Sequence, residues 1–206
     1  MTGVNPASAA CWRRGVVPPS LVGSHVGLCA LAAVDPVQGV GIPAWLLYPT
    51  GAEERIERIE RFGPSELSVA REAPLASPAA RLVVISHGNS GPPWTHRTTA
   101  AHLVRAGFAV ALVEHPGNSR SDDALAGTPA NLAGRPRHVR RVIDAVLADP
   151  ALAPRIPATG IAVRGHSIGA YTALAVAGGQ PRSPPPSSPT GCRGRSPSSA
   201  IPGSRR

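Results

Sequence analysis

The residues with the clearest chemical capacity are Gly165-His166-Ser167-Ile168-Gly169. A serine with a glycine two residues to either side suits a sharp turn that leaves the hydroxyl exposed at a strand end, with the next amides opening a helix. A helix N-terminus favours negative charge, so the arrangement suits a serine that attacks a carbonyl and holds the resulting oxyanion. The pattern alone is weak, because with 22 Gly in 206 residues chance gives roughly 0.2 matches. Its setting carries the weight. Ile161-Ala162-Val163 is an apolar run of the kind a buried parallel strand uses, and Ile168, Tyr171, Thr172, Leu174, Ala175 and Val176 suit a helix that Gly178-Gly179 would stop. An ordinary strand-to-helix junction with an incidental serine is the competing reading.

A second chemical stretch lies upstream. Leu82-Val83-Val84-Ile85-Ser86 is a compact β-branched run that ends directly in the loop His87-Gly88-Asn89-Ser90-Gly91. Residues 95–106 follow with helical character, Ala100, Leu103 and Val104 on one face, and residues 108–113 form the next strand. Strand, helix and strand in that order imply a parallel crossover. The loop 114–128 is rich in Pro, Gly, Asn, Ser and Asp and stands at a strand's carboxyl end, where function tends to lie. A helix over 131–149 then carries Val139, Val142, Ile143, Val146 and Leu147 at three- and four-residue steps, with Pro136 in its first turn. His138, Arg140 and Arg141 fall off that stripe and are expected in solvent; His115 reads as a loop histidine without a catalytic task.

The elements before these are simpler. Residues 26–34 and 40–48 are apolar, strand-length runs joined by the turn 35–39, an antiparallel pair. Residues 53–61 space Glu and Arg three and four apart, which supports either one or two helical turns with Ile56 and Ile59 inward or a solvated charged excursion. Leu67–Ala70 suits a short strand. Residues 1–24 read as a flexible leader. Residues 181–206 contain 22 Pro, Ser, Arg and Gly among 26, a composition that cannot bury a core and is expected to be disordered.

The chain carries a formal charge of +9 and contains no lysine. Scattered arginines and 3% aromatic residues offer little for base stacking, which argues against a nucleic-acid surface. Without lysine no P-loop can be completed. Cys11, Cys29 and Cys192 lie far apart and form neither a metal pair nor a disulfide framework. No apolar run reaches the length of a membrane span, and Pro18-Pro19 interrupts the one run resembling a signal peptide; a cytoplasmic location is expected.

Three motifs in order, LVVISHGNSG (82–91), FAVALVEHPGNSRSDD (108–123) and GHSIGA (165–170), resemble the α/β-hydrolase superfamily, and within it the dienelactone-hydrolase-like and platelet-activating-factor-acetylhydrolase-like enzymes. The likeness covers roughly residues 26–180. It implies an α/β-hydrolase fold, a mostly parallel sheet with an antiparallel N-terminal strand pair, truncated after the nucleophile helix. It further implies acyl transfer from a small-molecule ester to water, with no cofactor and no metal. Ser167 would be the nucleophile, and the amides of Asn89 and Ile168 would form the oxyanion hole. His87, Gly88, Gly165 and Gly169 would support the two loops, with the His166 side chain turned away from the reacting face. The family's order of Ser, then acid, then His cannot be completed, because no Asp, Glu or His follows Ser167. Residues 25–180 therefore read as an incomplete hydrolase domain of impaired activity, its carboxyl third missing or replaced by a shifted reading frame. The alternative is a non-catalytic α/β fragment whose basic tail binds an anionic partner.

Overall fold

The structure, a computed structural model, describes residues 25–58, 66–76, 79 and 81–180. The expected leader and tail lie outside these residues. Strands β1 (His25–Asp35) and β2 (Val40–Thr50) pair antiparallel along their whole length, from His25 opposite Thr50 to Asp35 opposite Val40. Strands β3 (Arg55–Arg58) and β4 (Glu66–Arg71) extend the sheet beyond β1. The short strand expected at Leu67–Ala70 is thus present. The charged stretch before it is neither helical nor a free excursion, since Arg55–Arg58 pairs antiparallel with β4. An ion pair between Arg71 and Glu57 at 2.6 Å spans the two strands; Ile56, expected inward, is 75% exposed, and Ile59 lies outside the described residues.

Strand β5 (Leu82–Ser86) is buried at every position, as is β6 (Ala109–Val113). Between them a 3-10 turn (Pro93–His96) feeds helix α1 (Arg97–Arg105). Helix α2 (Pro129–Ala148) begins two residues earlier than the sequence suggests. The Thr128 hydroxyl accepts from the Asn131 amide at 3.2 Å, and Pro129 occupies the first turn, where its missing N–H costs nothing. Pro136 lies inside the helix instead. Strand β7 (Ala162–Gly165) and helix α3 (Ile168–Val176) complete the described elements. Gly178, at φ +98°, closes α3, and the Gly179 amide reaches back to the Leu174 carbonyl at 2.8 Å.

The seven strands run in the order β3-β4-β1-β2-β6-β5-β7. Their pairings orient β1, β4, β5, β6 and β7 the same way and only β2 and β3 against them. Apolar clusters fill both faces. Val139, Val142 and Val146 of α2 pack with Leu46, Val84 and Ala111 on one; Ala100, Ala101 and Val104 of α1 pack with Leu47, Ile85 and Leu112 on the other. This two-sided covering explains the unbroken apolar runs of β5 and β6. The crossover through α1 carries the chain from β5 to β6, and the one through α2 carries it back past β5 to β7. At the carboxyl ends of the neighbouring strands β5 and β7 the chain therefore departs toward opposite faces, into α1 and α3. A crevice at such a switch point is where open α/β sheets bind ligands.

Candidate active site

Both chemical stretches found in the sequence meet at that crevice. Ser167 links β7 to α3 with φ +55° and ψ −123°, a conformation that side-chain-bearing residues rarely adopt. Two glycines make it feasible. A Cβ at Gly165 would overlap the Gly169 carbonyl, and one at Gly169 would overlap the Ser86 carbonyl of β5. The turn is thus pressed into itself and onto the neighbouring strand. Only glycine allows both approaches. The side chain of Ser167 is exposed and makes no capping bond to its own helix.

The loop after β5 faces this turn. A Cβ added to Gly88 would stand 3.5 Å from Ser167 Cβ and 3.0 Å from His166 Nδ1. The Gly169 and Ala170 amides donate to His166 and Ser167 carbonyls, both at 2.8 Å. The Ile168 amide, one residue earlier, heads the helix, where N–H groups lack intrahelical acceptors. Together His87, Gly88, Asn89, Gly91, Thr95, His96, His166 and Ser167 line a cavity of about 220 Å³. His166 therefore lines the same cavity as Ser167, on the side of Gly88, and is not directed away from it.

His87 is bonded to the loop it opens. It is 1% exposed, its Nδ1 lies 2.7 Å from the Gly88 carbonyl, and its Nε2 accepts from the His115 amide at 3.3 Å. A carbonyl can only accept, so Nδ1 carries the proton. Burial pushes its pKa down to about 4, with Arg135 and His96 adding to the effect against the Gly88 bond. The ring is neutral and braces the loop.

Beneath the crevice lies a polar network that sequence reasoning missed. Arg135 of α2 is fully buried and donates to Asn118 Oδ1 at 2.7 Å, Thr172 Oγ1 at 3.1 Å, Ser86 Oγ at 3.2 Å and the His87 carbonyl. Asn118 in turn donates to Asn89 Oδ1 at 3.0 Å and Asp123 Oδ1 at 2.9 Å, and Ser90 Oγ donates to Asp123 Oδ2 at 2.6 Å. One guanidinium thus ties α2 to β5, to the loop after β6, to α3 and, through Asn118, to Asn89. Burial lowers its pKa to about 10, so it stays charged.

Both His115 and His138 are buried and hydrogen-bonded, against the solvent position expected for His138. His138 is 1% exposed, and its Nε2 meets Gln38 Oε1 at 2.6 Å; an amide oxygen accepts, so Nε2 carries the proton and Nδ1 is free to accept from His115 Nδ1 at 3.2 Å. His115 then has its Nε2 open to the Ser86 hydroxyl at 2.9 Å. Every donor in the row from Arg135 through Ser86, His115 and His138 to Gln38 points the same way. The rings stay neutral: burial holds His138 at about 4 and His115 well below the histidine range. Arg140 and Arg141 are exposed, as expected. Periodicity did place His138 and Arg135 on the buried face: His138 stands four residues before Val142 and eight before Val146, and Arg135 four before Val139; their polar side chains are what kept them off the expected stripe.

A larger concavity of about 700 Å³, lined in part by Cys29, Glu72, Asp149 and Arg155, shares no residue with the Ser167 cavity. Burial, with Glu72 and Asp149, pushes the Cys29 thiol up to about 11, which leaves it protonated and unreactive. Among the described residues no group of three metal-ligating side chains occurs, and no helix is long and apolar enough to cross a membrane.

Strand order, the β7-turn-α3 junction and the crevice beside it define the α/β-hydrolase fold. Comparison with solved structures agrees. A ferulic acid esterase from Streptomyces cinnamoneus superposes with a TM-score of 0.58 at 21% identity, over 78% of this chain and 56% of its own. A dienelactone hydrolase from Anabaena variabilis gives 0.51 at 16%, over 74% and 57%. A dienelactone hydrolase-like promiscuous phosphotriesterase from metagenomic libraries gives 0.50 at 15%, over 74% and 54%. The chain spans little more than half the length of these structures. No protein-family model and no curated protein matches it.

Proposed function

We propose that this chain carries the nucleophilic centre of a carboxylic-ester hydrolase acting on small-molecule esters. The carrying observation is the strained conformation of Ser167, φ +55° between two glycines whose Cβ atoms would overlap backbone. Such strain persists only where the surrounding structure enforces it and clusters at functional sites. Ser167 Oγ attacks the ester carbonyl, and the amides of Asn89 and Ile168 hold the oxyanion, each worth about 10²- to 10³-fold in rate. Expulsion of the alkoxide leaves an acyl-serine, which water hydrolyses. The esterase and dienelactone hydrolase among the similar structures support an ester carbonyl as the target.

Activation of the serine is the weak step. Its proton needs a base; His87, His96 and His166 line the same cavity, and none of them is hydrogen-bonded to it. Labelling with a fluorophosphonate tests the assignment: modification of Ser167, lost in Ser167→Ala, is expected. Labelling that Ser167→Ala leaves unchanged would refute it.

A further inference from the structure

The turn that carries Asn89 past the Ser167 cavity is held in a shape its own residues do not favour. The Gly91 amide donates to the Gly88 carbonyl at 3.3 Å and closes four residues with Asn89 and Ser90 at the centre. Ser90 stands at φ +52°, while Asn89 is not at positive φ. Positive φ at the second central residue alone is the pattern of a type II turn, which favours glycine at that place. An L side chain there is strained and persists only where its surroundings hold it. Were Ser90 to relax to negative φ, the four residues would form the commoner type I turn, with the peptide between Asn89 and Ser90 turned over and the Asn89 Cα displaced.

A closed ring of side-chain bonds holds the strained shape. Asn118 Nδ2 donates to Asn89 Oδ1 at 3.0 Å and to Asp123 Oδ1 at 2.9 Å; Asn89 Nδ2 donates to Ser90 Oγ at 2.9 Å, and Ser90 Oγ donates to Asp123 Oδ2 at 2.6 Å. Arg135, which has donors only, takes Asn118 Oδ1 at 2.7 Å and so turns its Nδ2 toward the ring. Both paths around the ring end on the Asp123 carboxylate, which only accepts. The peptide bearing the Asn89 N–H is thereby fixed at two ends: its carbonyl, that of Gly88, by His87 Nδ1 and the Gly91 amide, and its Asn89 end by the ring. Gly88, Asn89 and Gly91 line the cavity beside Ser167, whereas Ser90 and Asp123 do not. We propose that Asp123 is a positioning residue for the oxyanion hole: by closing the ring it keeps Ser90 at positive φ and gives the Asn89 N–H a fixed direction. The loop after β6 thus acts on the reaction without touching the substrate. Its effect on rate rests on Ser167 being the nucleophile; the hold of Asp123 on the turn does not.

The test compares the full chain with Asp123→Ala and with the double variant Ser90→Gly/Asp123→Ala; Asp123 is exposed, so its loss leaves the core untouched. In Asp123→Ala the maximal rate of fluorophosphonate labelling at Ser167 is expected to fall about tenfold, while the reagent concentration giving half that rate changes by less than about threefold. Ser90→Gly should restore the rate to within about threefold of the parent, because glycine holds positive φ unaided. A merely structural role would not be rescued by deleting a second member of the ring. The turn is also read directly. The close approach of Asn89 Hα to the Ser90 N–H, a mark of the type II turn, should give a strong nuclear Overhauser effect in the parent, a weak one in Asp123→Ala and a strong one again in the double variant. Labelling of Asp123→Ala at the parent rate, or slowed labelling that Ser90→Gly leaves slow, overturns the proposal. If the parent is not labelled at Ser167, the nucleophile falls and the Overhauser effect alone decides: an unchanged signal in Asp123→Ala discards the positioning role as well, and a weakened one keeps the hold on the turn.

Discussion

The guanidinium of Arg135 donates to Asn118 Oδ1 at 2.7 Å in a place no solvent reaches. Asn118 passes that constraint to Asn89, so a residue on α2 sets the loop that faces Ser167. Replacing Arg135 by Met would strand acceptors on Asn118, Ser86, Thr172 and the His87 carbonyl at once. Buried groups left unpaired cost about 1–3 kcal/mol each, so a loss of at least about 3 kcal/mol is expected in urea unfolding. Arg135→Lys should recover little of it, because a single ammonium cannot span a planar fork's partners. A Lys variant as stable as the parent would show that charge alone suffices.

The two glycines around Ser167 make a sharper structural prediction. Gly169→Ala drives a methyl into the Ser86 carbonyl, backbone that cannot swing aside, and should cost more than about 3 kcal/mol or prevent folding. Gly41→Ala is the control: nothing lies within 4 Å of its added Cβ, and it should change stability by no more than about 0.5 kcal/mol. Thermal unfolding of both chains checks the contrast.

The central strands were legible because they are written in unbroken apolar runs, whereas β7, expected to be buried, is an edge strand with Ala162 and Arg164 exposed. β5 and β6, covered on both faces, need no alternation, and the glycine loops that end β5 and β7 announce themselves by composition. What escaped was polar. His115, His138 and Arg135 look like surface residues to any reading that equates charge with solvent, yet they fill the space beneath the crevice by satisfying one another. The same habit put residues 53–61 in a helix or in solvent: a four-residue edge strand held by the Arg71–Glu57 pair has no hydrophobic signature. Pro136 misled for another reason. Thr128-Pro129 is a complete cap-and-first-turn pair that the loop composition around it concealed.

The buried histidines make stability depend on pH in a definite direction. His87 and His138 fall to about 4 in the folded chain and His115 falls well below the histidine range, in each case chiefly by burial. Unfolded histidine titrates near 6.5. Between pH 6.5 and 4 the unfolded state therefore binds more protons than the folded one, and stability rises with pH across that window. It should be fully present above pH 7 and diminish by a few kcal/mol on acidification to about pH 4.5. Urea midpoints at four or five pH values measure the slope. A flat profile across this range would mean that the rings find charged partners on protonation.

The strain at Ser167 can be weighed against its use. With φ +55° and ψ −123° the residue occupies a region that glycine enters freely and an L side chain does not. Ser167→Gly should raise stability by about 1 kcal/mol, despite the entropy that glycine adds to the unfolded chain. Ser167→Ala keeps the Cβ and should gain nothing. Both variants remove the hydroxyl, so both should lose fluorophosphonate labelling equally. Stability and reactivity would then separate: the Gly chain more stable than the parent, the Ala chain no more so, and neither labelled. Equal unfolding midpoints for Gly and Ala would place the cost of the turn in its flanking glycines, with none of it stored at the serine.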